Sequence, residues 1–244
     1  MKKHIPNIIT LFNVLSGTIG IVAVLDGHWL TGFVLMIAAA IFDFFDGLVA
    51  RLLGVSSPVG KELDSLADVI SFGVLPGMMM FMMMLNNQSL DVININGVRI
   101  APFFAFLIPM MSAMRLAKFN LDERQTSSFI GLPTPANALF IGALSIAWHD
   151  LCHCSMIQQV ISNPWFMYPV TLILSILLVA ELPLFSLKFK NLKWKGNEFR
   201  FILIVGSLVL FGVFYQWVYM AIIIIIPSYI LLSIIQNTFF KKEA

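Results

Sequence analysis

Runs of about twenty apolar residues, separated by short polar breaks, fill the chain from end to end, and no other feature limits the fold as severely. A helix needs roughly 20 residues to cross the hydrocarbon core of a bilayer. Backbone polar groups in lipid must be bonded within their own segment, so such runs become spanning helices. The pattern predicts eight spans, over residues 7–25, 29–50, 63–85, 99–117, 133–149, 165–187, 199–215 and 217–238. Only "YQW" divides the last two, which predicts either a tight hairpin or one bent element. Hydrophobic residues make up 59% of the 244 and charged ones 11%, with a mean hydropathy of +0.90, which leaves no room for a separate water-soluble domain. The fold class is an all-α integral membrane protein.

Charge sets the orientation, because Lys and Arg near span ends stay on the cytoplasmic side. With eight spans, one face collects Lys2, Lys3, Arg51, Lys61, Arg115, Lys118, Arg124, Lys188, Lys190, Lys193, Lys195, Arg200, Lys241 and Lys242, and the other has Arg99 alone. That asymmetry supports the count and puts both termini in the cytoplasm. A net charge of +2 is too small to indicate a nucleic-acid partner. Two cysteines, Cys152 and Cys154, make no disulfide framework. The first run follows a basic start as a signal peptide does. It lacks a small-residue cleavage site and holds Asn7, Thr10 and Asn13, so it is expected to remain as a span. The run "MMMFMMML", Met78 to Leu85, is expected to be flexible apolar packing.

Against this apolar background "DFFDGLVAR", Asp43 to Arg51, stands out. Residues three or four apart share a helix face, so Asp43, Asp46, Gly47 and Ala50 line one stripe of the second span. Gly60, Asp64 and Asp68 line another in the third. A short connection joins the two, so antiparallel neighbours can gather four carboxylates in one small volume. One ionised Asp near the bilayer centre costs on the order of 3 kcal/mol, and four repelling ones cost more, so a compensating positive charge is required. Ion pairs with Arg51, Lys61 or Arg115 would account for one or two. Oxygen-only ligands with no His or Cys nearby favour hard divalent cations such as magnesium, manganese or calcium, and four carboxylates could hold two. Glycines beside the aspartates permit the close approach of a ligand or another backbone.

The order Asp43-x2-Asp46-Gly47-x2-Ala50-Arg51-x8-Gly60-x3-Asp64-x3-Asp68 resembles the signature of the membrane CDP-alcohol phosphotransferases at all eight specified positions over 26 residues. The resemblance implies a helix bundle with a six-helix core plus two C-terminal helices. Residues 1–187 would form the catalytic bundle, and 188–244 a cytoplasmic loop with the two added helices. It implies that a hydroxyl attacks the phosphate distal to cytidine and releases CMP, with two divalent ions. Carried over by position, Asp43, Asp46 and Asp64 would ligate one ion, and Asp43, Asp64 and Asp68 the second. Asp68 would also be the general base. Gly47 and Gly60 would leave space for the nucleotide lipid, Arg51 and Ser57 would contact the diphosphate, and Asn7 and Thr10 would help hold the nucleotide. Asn7 reads equally well as a helix cap. Family members usually form homodimers.

The core signature does not choose the acceptor alcohol. The segments "ELDSLADVISFGVLPG", "MRLAKFN" and "FIGLPTPANA" resemble those of the membrane-embedded bacterial phosphatidylserine synthases within the family, and "SLKFKN" does so more loosely, with Glu181, Leu182 and Pro183 departing from the pattern before it. This implies CDP-diacylglycerol and L-serine as substrates, in a bacterial cytoplasmic membrane with the site facing the cytoplasm. Serine needs a cation for its carboxylate, and Arg115, Lys118 and Arg124 are the candidates, although Lys118 and Arg124 also read as ordinary anchors to anionic headgroups. "GLPTP", Gly131 to Pro135, reads as a helix start that could also shape the acceptor pocket. "HDLCHC", His149 to Cys154, crowds its candidate ligands and lacks a second cluster, so zinc is not expected. Glu181 falls inside the sixth predicted span, where it would pair with Lys188 or Lys190. The alternatives are a sister enzyme using glycerol 3-phosphate or an inositol phosphate, or a divalent-cation carrier.

Overall fold

The computed structural model describes residues 4–55, 57–87, 94–121, 129–150, 156–185, 194 and 197–239. Lys2, Lys3, Arg124, Cys152, Cys154, the "SLKFKN" segment, Lys193, Lys195, Lys241 and Lys242 therefore lie outside the described residues.

Each predicted apolar run contains a helix. The chain starts with α1 (His4–Leu25), turns at Gly27, and returns as α2 (Trp29–Leu52), its most extensive packing partner. Ser57 then caps α3 (Pro58–Leu85): its Oγ accepts from the Gly60 N–H at 2.9 Å, and Pro58 occupies the first turn, where its missing N–H costs nothing. Within α3 the segment Val69–Val74 is π-helical, which re-aims the residues around it by one position. An Asn96-Gly97 turn, both residues at positive φ, closes a two-residue hairpin of β1 (Asn94–Ile95) and β2 (Val98–Arg99). This places Arg99 ahead of the fourth helix, α4 (Ala101–Leu121), whose first six residues, Ala101–Phe106, are 3-10 helical.

The second half is α5 (Thr134–Asp150), the short α6 (Met156–Ile161), α7 (Pro164–Val179), α8 (Glu198–Val213) and α9 (Val218–Phe239). Helices α1, α2, α3, α4 and α9 are long and apolar enough to cross a membrane. Helices α5, α7 and α8 have 17, 16 and 16 residues, about 25 Å of rise against a hydrocarbon core of about 30 Å. A separate hairpin, and not a bent rod, joins α8 to α9.

The sixth predicted span is too long at its C-terminal end. Helix α7 stops at Val179, with Ala180 extended and Pro183 unable to continue a helix. The chain instead forms β4 (Pro183–Leu184), which pairs with β3 (Phe129–Ile130) just before "GLPTP". Glu181 is consequently an exposed residue beyond the helix end.

In lipid the helices gain little from the hydrophobic effect, and close packing must hold them together. The methionine run provides it: Met79, Met80, Met83 and Met84 are fully buried with Phe72, Leu75, Ile108 and Ile141, and Ser145 Oγ donates to Met79 Sδ at 3.6 Å. Antiparallel alternation brings the starts of α1, α3 and α5 and the ends of α2, α4 and α9 to one end of the bundle. The candidate site residues that are described lie there.

Candidate active site

The aspartate stripe of α2 faces the start of α3. Asp43, Asp64 and Asp68 each offer a carboxylate oxygen, and the three oxygens lie within 4.8 Å of one another. At that spacing each ionised pair repels by about 3 kcal/mol, taking an effective dielectric of about 20. Three pairs would oppose folding by an amount comparable to a domain's whole stability. Among the described residues none of the four aspartates forms an ion pair with Arg51, Lys61 or Arg115, and Arg115 acts on Asp68 only at longer range. One oxygen each of Asp64 and Asp68 is fully enclosed without a hydrogen-bond partner. Oxygen-only donors, unpartnered and gathered from two helices, fit a hard divalent cation.

Asp46 is held differently. It is buried, and Thr10 Oγ1 donates to its Oδ2 at 2.6 Å from across α1. Asn13, one turn beyond Thr10, is completely buried beside Asp68, and its Oδ1 accepts from Ser71 Oγ at 2.6 Å. Ser71 belongs to the π-helical segment, and its approach depends on Gly17, where a Cβ would meet Ser71 Oγ at 2.4 Å. The π turn and the glycine together let α1 brace the acidic face of α3.

Beside the carboxylates is a cavity of about 260 Å³. Asn7 and Thr10 of α1, Asp46, Gly47 and Ala50 of α2, and Ser57, Gly60, Lys61 and Asp64 of α3 line it. Nothing lies within 4 Å of where a Gly47 side chain would begin, so that face is open. Five of the six residues predicted to hold a nucleotide lipid therefore share one cavity. The sixth, Arg51, is exposed outside this lining, and its Nε donates to the Gly47 carbonyl at 3.0 Å. Lys61 is offered by the sequence as a residue of the basic face and a candidate ion-pair partner. It instead lines the cavity while its Nζ donates to Asn120 O at 3.0 Å. The available signal was its position three residues before Asp64, on the same helix face.

On the far side of Asp68 the acceptor candidates separate. Arg115 is buried, with Asp68 among its electrostatic neighbours; its Nη1 donates to Thr134 Oγ1 at 3.3 Å and its guanidinium sits 5.6 Å from the Phe119 ring centroid. Lys118 is exposed, and Arg124 lies outside the described residues. "GLPTP" does more than start a helix. Gly131 N donates to Leu182 O at 2.9 Å and Leu132 N to Leu177 O at 2.8 Å, docking the turn on the end of α7 and presenting Thr134 to Arg115. At the opposite end, the last two residues of α5 make a His149–Asp150 contact of 3.2 Å between exposed side chains, and the His149 ring lies 6.2 Å from that of Trp29; the other residues of that motif are Leu151 to Cys154, outside the described residues.

Residues 3–185 match the family described as CDP-alcohol phosphatidyltransferase. Among similar proteins, the CDP-diacylglycerol–serine O-phosphatidyltransferase of Helicobacter pylori (strain ATCC 700392 / 26695) is 31% identical over 206 residues, covering 84% of this chain and 80% of that one. The protein of the same name from Bacillus subtilis is 34% identical over 150 residues, 61% of this chain and 79% of the relative. The archaetidylserine synthase of Methanothermobacter thermautotrophicus is 34% identical over 141 residues, 57% of this chain and 56% of that one. With the match spanning three quarters of its length and the acidic signature gathered at one cavity, the chain belongs to the CDP-alcohol phosphatidyltransferase family.

Proposed function

We propose that this protein transfers the phosphatidyl group of CDP-diacylglycerol to the hydroxyl of L-serine, yielding phosphatidylserine and CMP. The observation that carries the reading is the close trio Asp43, Asp64 and Asp68, with the cavity lined by Asn7, Thr10 and Lys61 on one side and the buried Arg115 on the other. The serine-named relatives support the choice of acceptor.

In the proposed mechanism Asp43, Asp46 and Asp64 would hold one divalent ion and Asp43, Asp64 and Asp68 a second, magnesium or manganese in the first instance and calcium as a third option. Bound there, the ions supply neutralisation of the diphosphate and polarisation of the phosphorus under attack. Thr10 orients Asp46 by its hydrogen bond. Asn7, Gly47, Ser57, Gly60 and Lys61 form the surface for the cytidine diphosphate, with Arg51 at its rim. The serine oxygen bonds to the phosphorus that carries diacylglycerol as the bond from that phosphorus to the CMP oxygen breaks. The hydroxyl proton passes to a carboxylate oxygen of Asp68. Arg115 receives the serine carboxylate.

The supporting geometry also bears on the alternatives. A phosphate dianion would call for more than one inward-facing cation, and among the described acceptor candidates Arg115 alone is buried. A cation carrier needs a polar path onward, yet α3 continues past Ser71 into fully buried methionines. The basic residues at the acidic end favour a site at the cytoplasmic face of a bacterial inner membrane, with both termini on that side. We further propose residues 1–187 as the catalytic bundle, 188–244 as an added loop and helix pair, and a homodimer as the working assembly. The family match ending at residue 185 supports the division.

CMP release by purified protein from CDP-diacylglycerol, with serine, glycerol 3-phosphate or an inositol phosphate supplied separately, tests the proposal. Release with serine alone is expected. Release with glycerol 3-phosphate and none with serine overturns the acceptor.

A further inference from the structure

Helix α9 lies beyond the segment that matches the family, yet it packs along α5 and reaches the acceptor side of the site. Tyr229 lies within electrostatic reach of Arg115. Its hydroxyl donates to Phe185 O at 3.0 Å, and eight residues on Asn237 Nδ2 donates to Pro183 O. These two bonds fasten α9 to β4 and the residue after it, the strand that pairs with Phe129–Ile130 just ahead of "GLPTP", so its register against Arg115 is fixed. Between them, on the same face of α9, are Ser233 and Gln236.

The polar atoms enclosed here are unpartnered to an unusual degree, and buried polar groups normally are not. Ser233 and Asn137 are completely buried and Arg115 nearly so. Arg115 Nε, both side-chain polar atoms of Asn137 and Gln236 Oε1 have no hydrogen-bond partner, while the Ser233 hydroxyl faces Tyr229 and keeps lone pairs free to accept. These atoms divide by chemistry. Arg115 Nε and Asn137 Nδ2 can only donate, as a carboxylate requires. Asn137 Oδ1, Ser233 Oγ and Gln236 Oε1 can accept, one for each N–H of an ammonium. A free amino acid carries both groups on one carbon, and a glycerol or inositol phosphate carries no ammonium.

We infer that α9 supplies Ser233 and Gln236 as ammonium-recognising residues of the acceptor pocket, which makes this helix a determinant of amino-acid specificity. The inference rests on serine being the acceptor and goes further, assigning part of the pocket to a segment outside the family's matched domain.

The test is steady-state CMP release by the full chain and its Ser233→Ala and Gln236→Met variants, substitutions that change volume little. Serine is compared with 3-hydroxypropanoate, which keeps the carboxylate and hydroxyl but lacks the amine. Each variant is expected to raise KM for serine by about tenfold, the usual loss for one hydrogen bond to a charged group. KM for CDP-diacylglycerol should hold, and the preference for serine over 3-hydroxypropanoate should narrow by a similar factor. Unchanged serine KM and preference in both variants, in a wild-type protein that does use serine, overturns this inference alone. Loss of CDP-diacylglycerol affinity in both would mean a structural role and overturns it as well. A wild-type chain inactive with serine contradicts the underlying acceptor assignment instead.

Discussion

Asp43, Asp64 and Asp68 come together because the helical period aligns Asp64 with Asp68 on α3 and α2 brings Asp43 against that face. Asp46, on the same stripe as Asp43, is singled out by Thr10. In the account given above Asp68 both holds an ion and accepts the serine proton, and it stands closest to the acceptor side through Arg115. Asp68→Asn keeps the shape and removes the basic oxygen, so kcat for CMP release should fall by at least ~100-fold, the range expected for a lost general base. Binding of CDP-diacylglycerol should partly persist. Turnover near the wild-type rate would remove Asp68 from that role. The aspartates and glycines were legible in the sequence because three- and four-residue spacing dictates a shared face whatever the fold. The brace formed by Asn13 and Ser71 was not, since a hydrogen bond between residues 58 apart depends on how two helices approach. Arg115 and Lys118 carry equal charge on one helix, and only the packing of α4 against α7 and the π-helical part of α3, with Thr134 as a partner, decides that the first is enclosed.

At the scale of elements, hydropathy located every long helix, missed the short α6 between the fifth and sixth runs, and misjudged where some end. It extended the sixth span to residue 187 because the residues after Val179 remain apolar, whereas Pro183 and the pairing of Pro183–Leu184 with Phe129–Ile130 end the helix. That ladder makes "GLPTP" a docked turn, and Gly131 is its weak point. Its φ is +78°, and a Cβ there would meet Leu178 O at 2.7 Å and Ala180 O at 3.0 Å. Gly131→Ala should lower stability by about 2 kcal/mol, combining the left-handed backbone cost with the clash. Thermal unfolding in detergent would read this as a lower midpoint. The displaced Thr134 would also loosen Arg115, so KM for serine should rise. An unaltered midpoint would mean that the turn tolerates a side chain and does not position the site. The π-helical segment of α3 likewise escaped prediction, because a single extra residue per turn leaves no mark in an apolar run.

Over the whole molecule, the fold works by alternation. Antiparallel helices bring residues from positions 7 to 236 to one end of the bundle, while the other end and the methionine-packed middle carry no comparable chemistry among the described residues. The fold class and the location of the acidic site were legible because insertion into a bilayer leaves few architectures for such a chain. The contribution of α9 was not, since its polar residues are scattered among isoleucines and gain meaning only opposite Arg115. The central claim is that two neighbouring helices hold divalent cations between their carboxylates. Anomalous diffraction from crystals grown with manganese tests it most directly. Manganese peaks bounded by Asp43, Asp46, Asp64 and Asp68 are expected; well-ordered carboxylates with no peak between them, at a manganese concentration that supports CMP release, would rule out a cation site there.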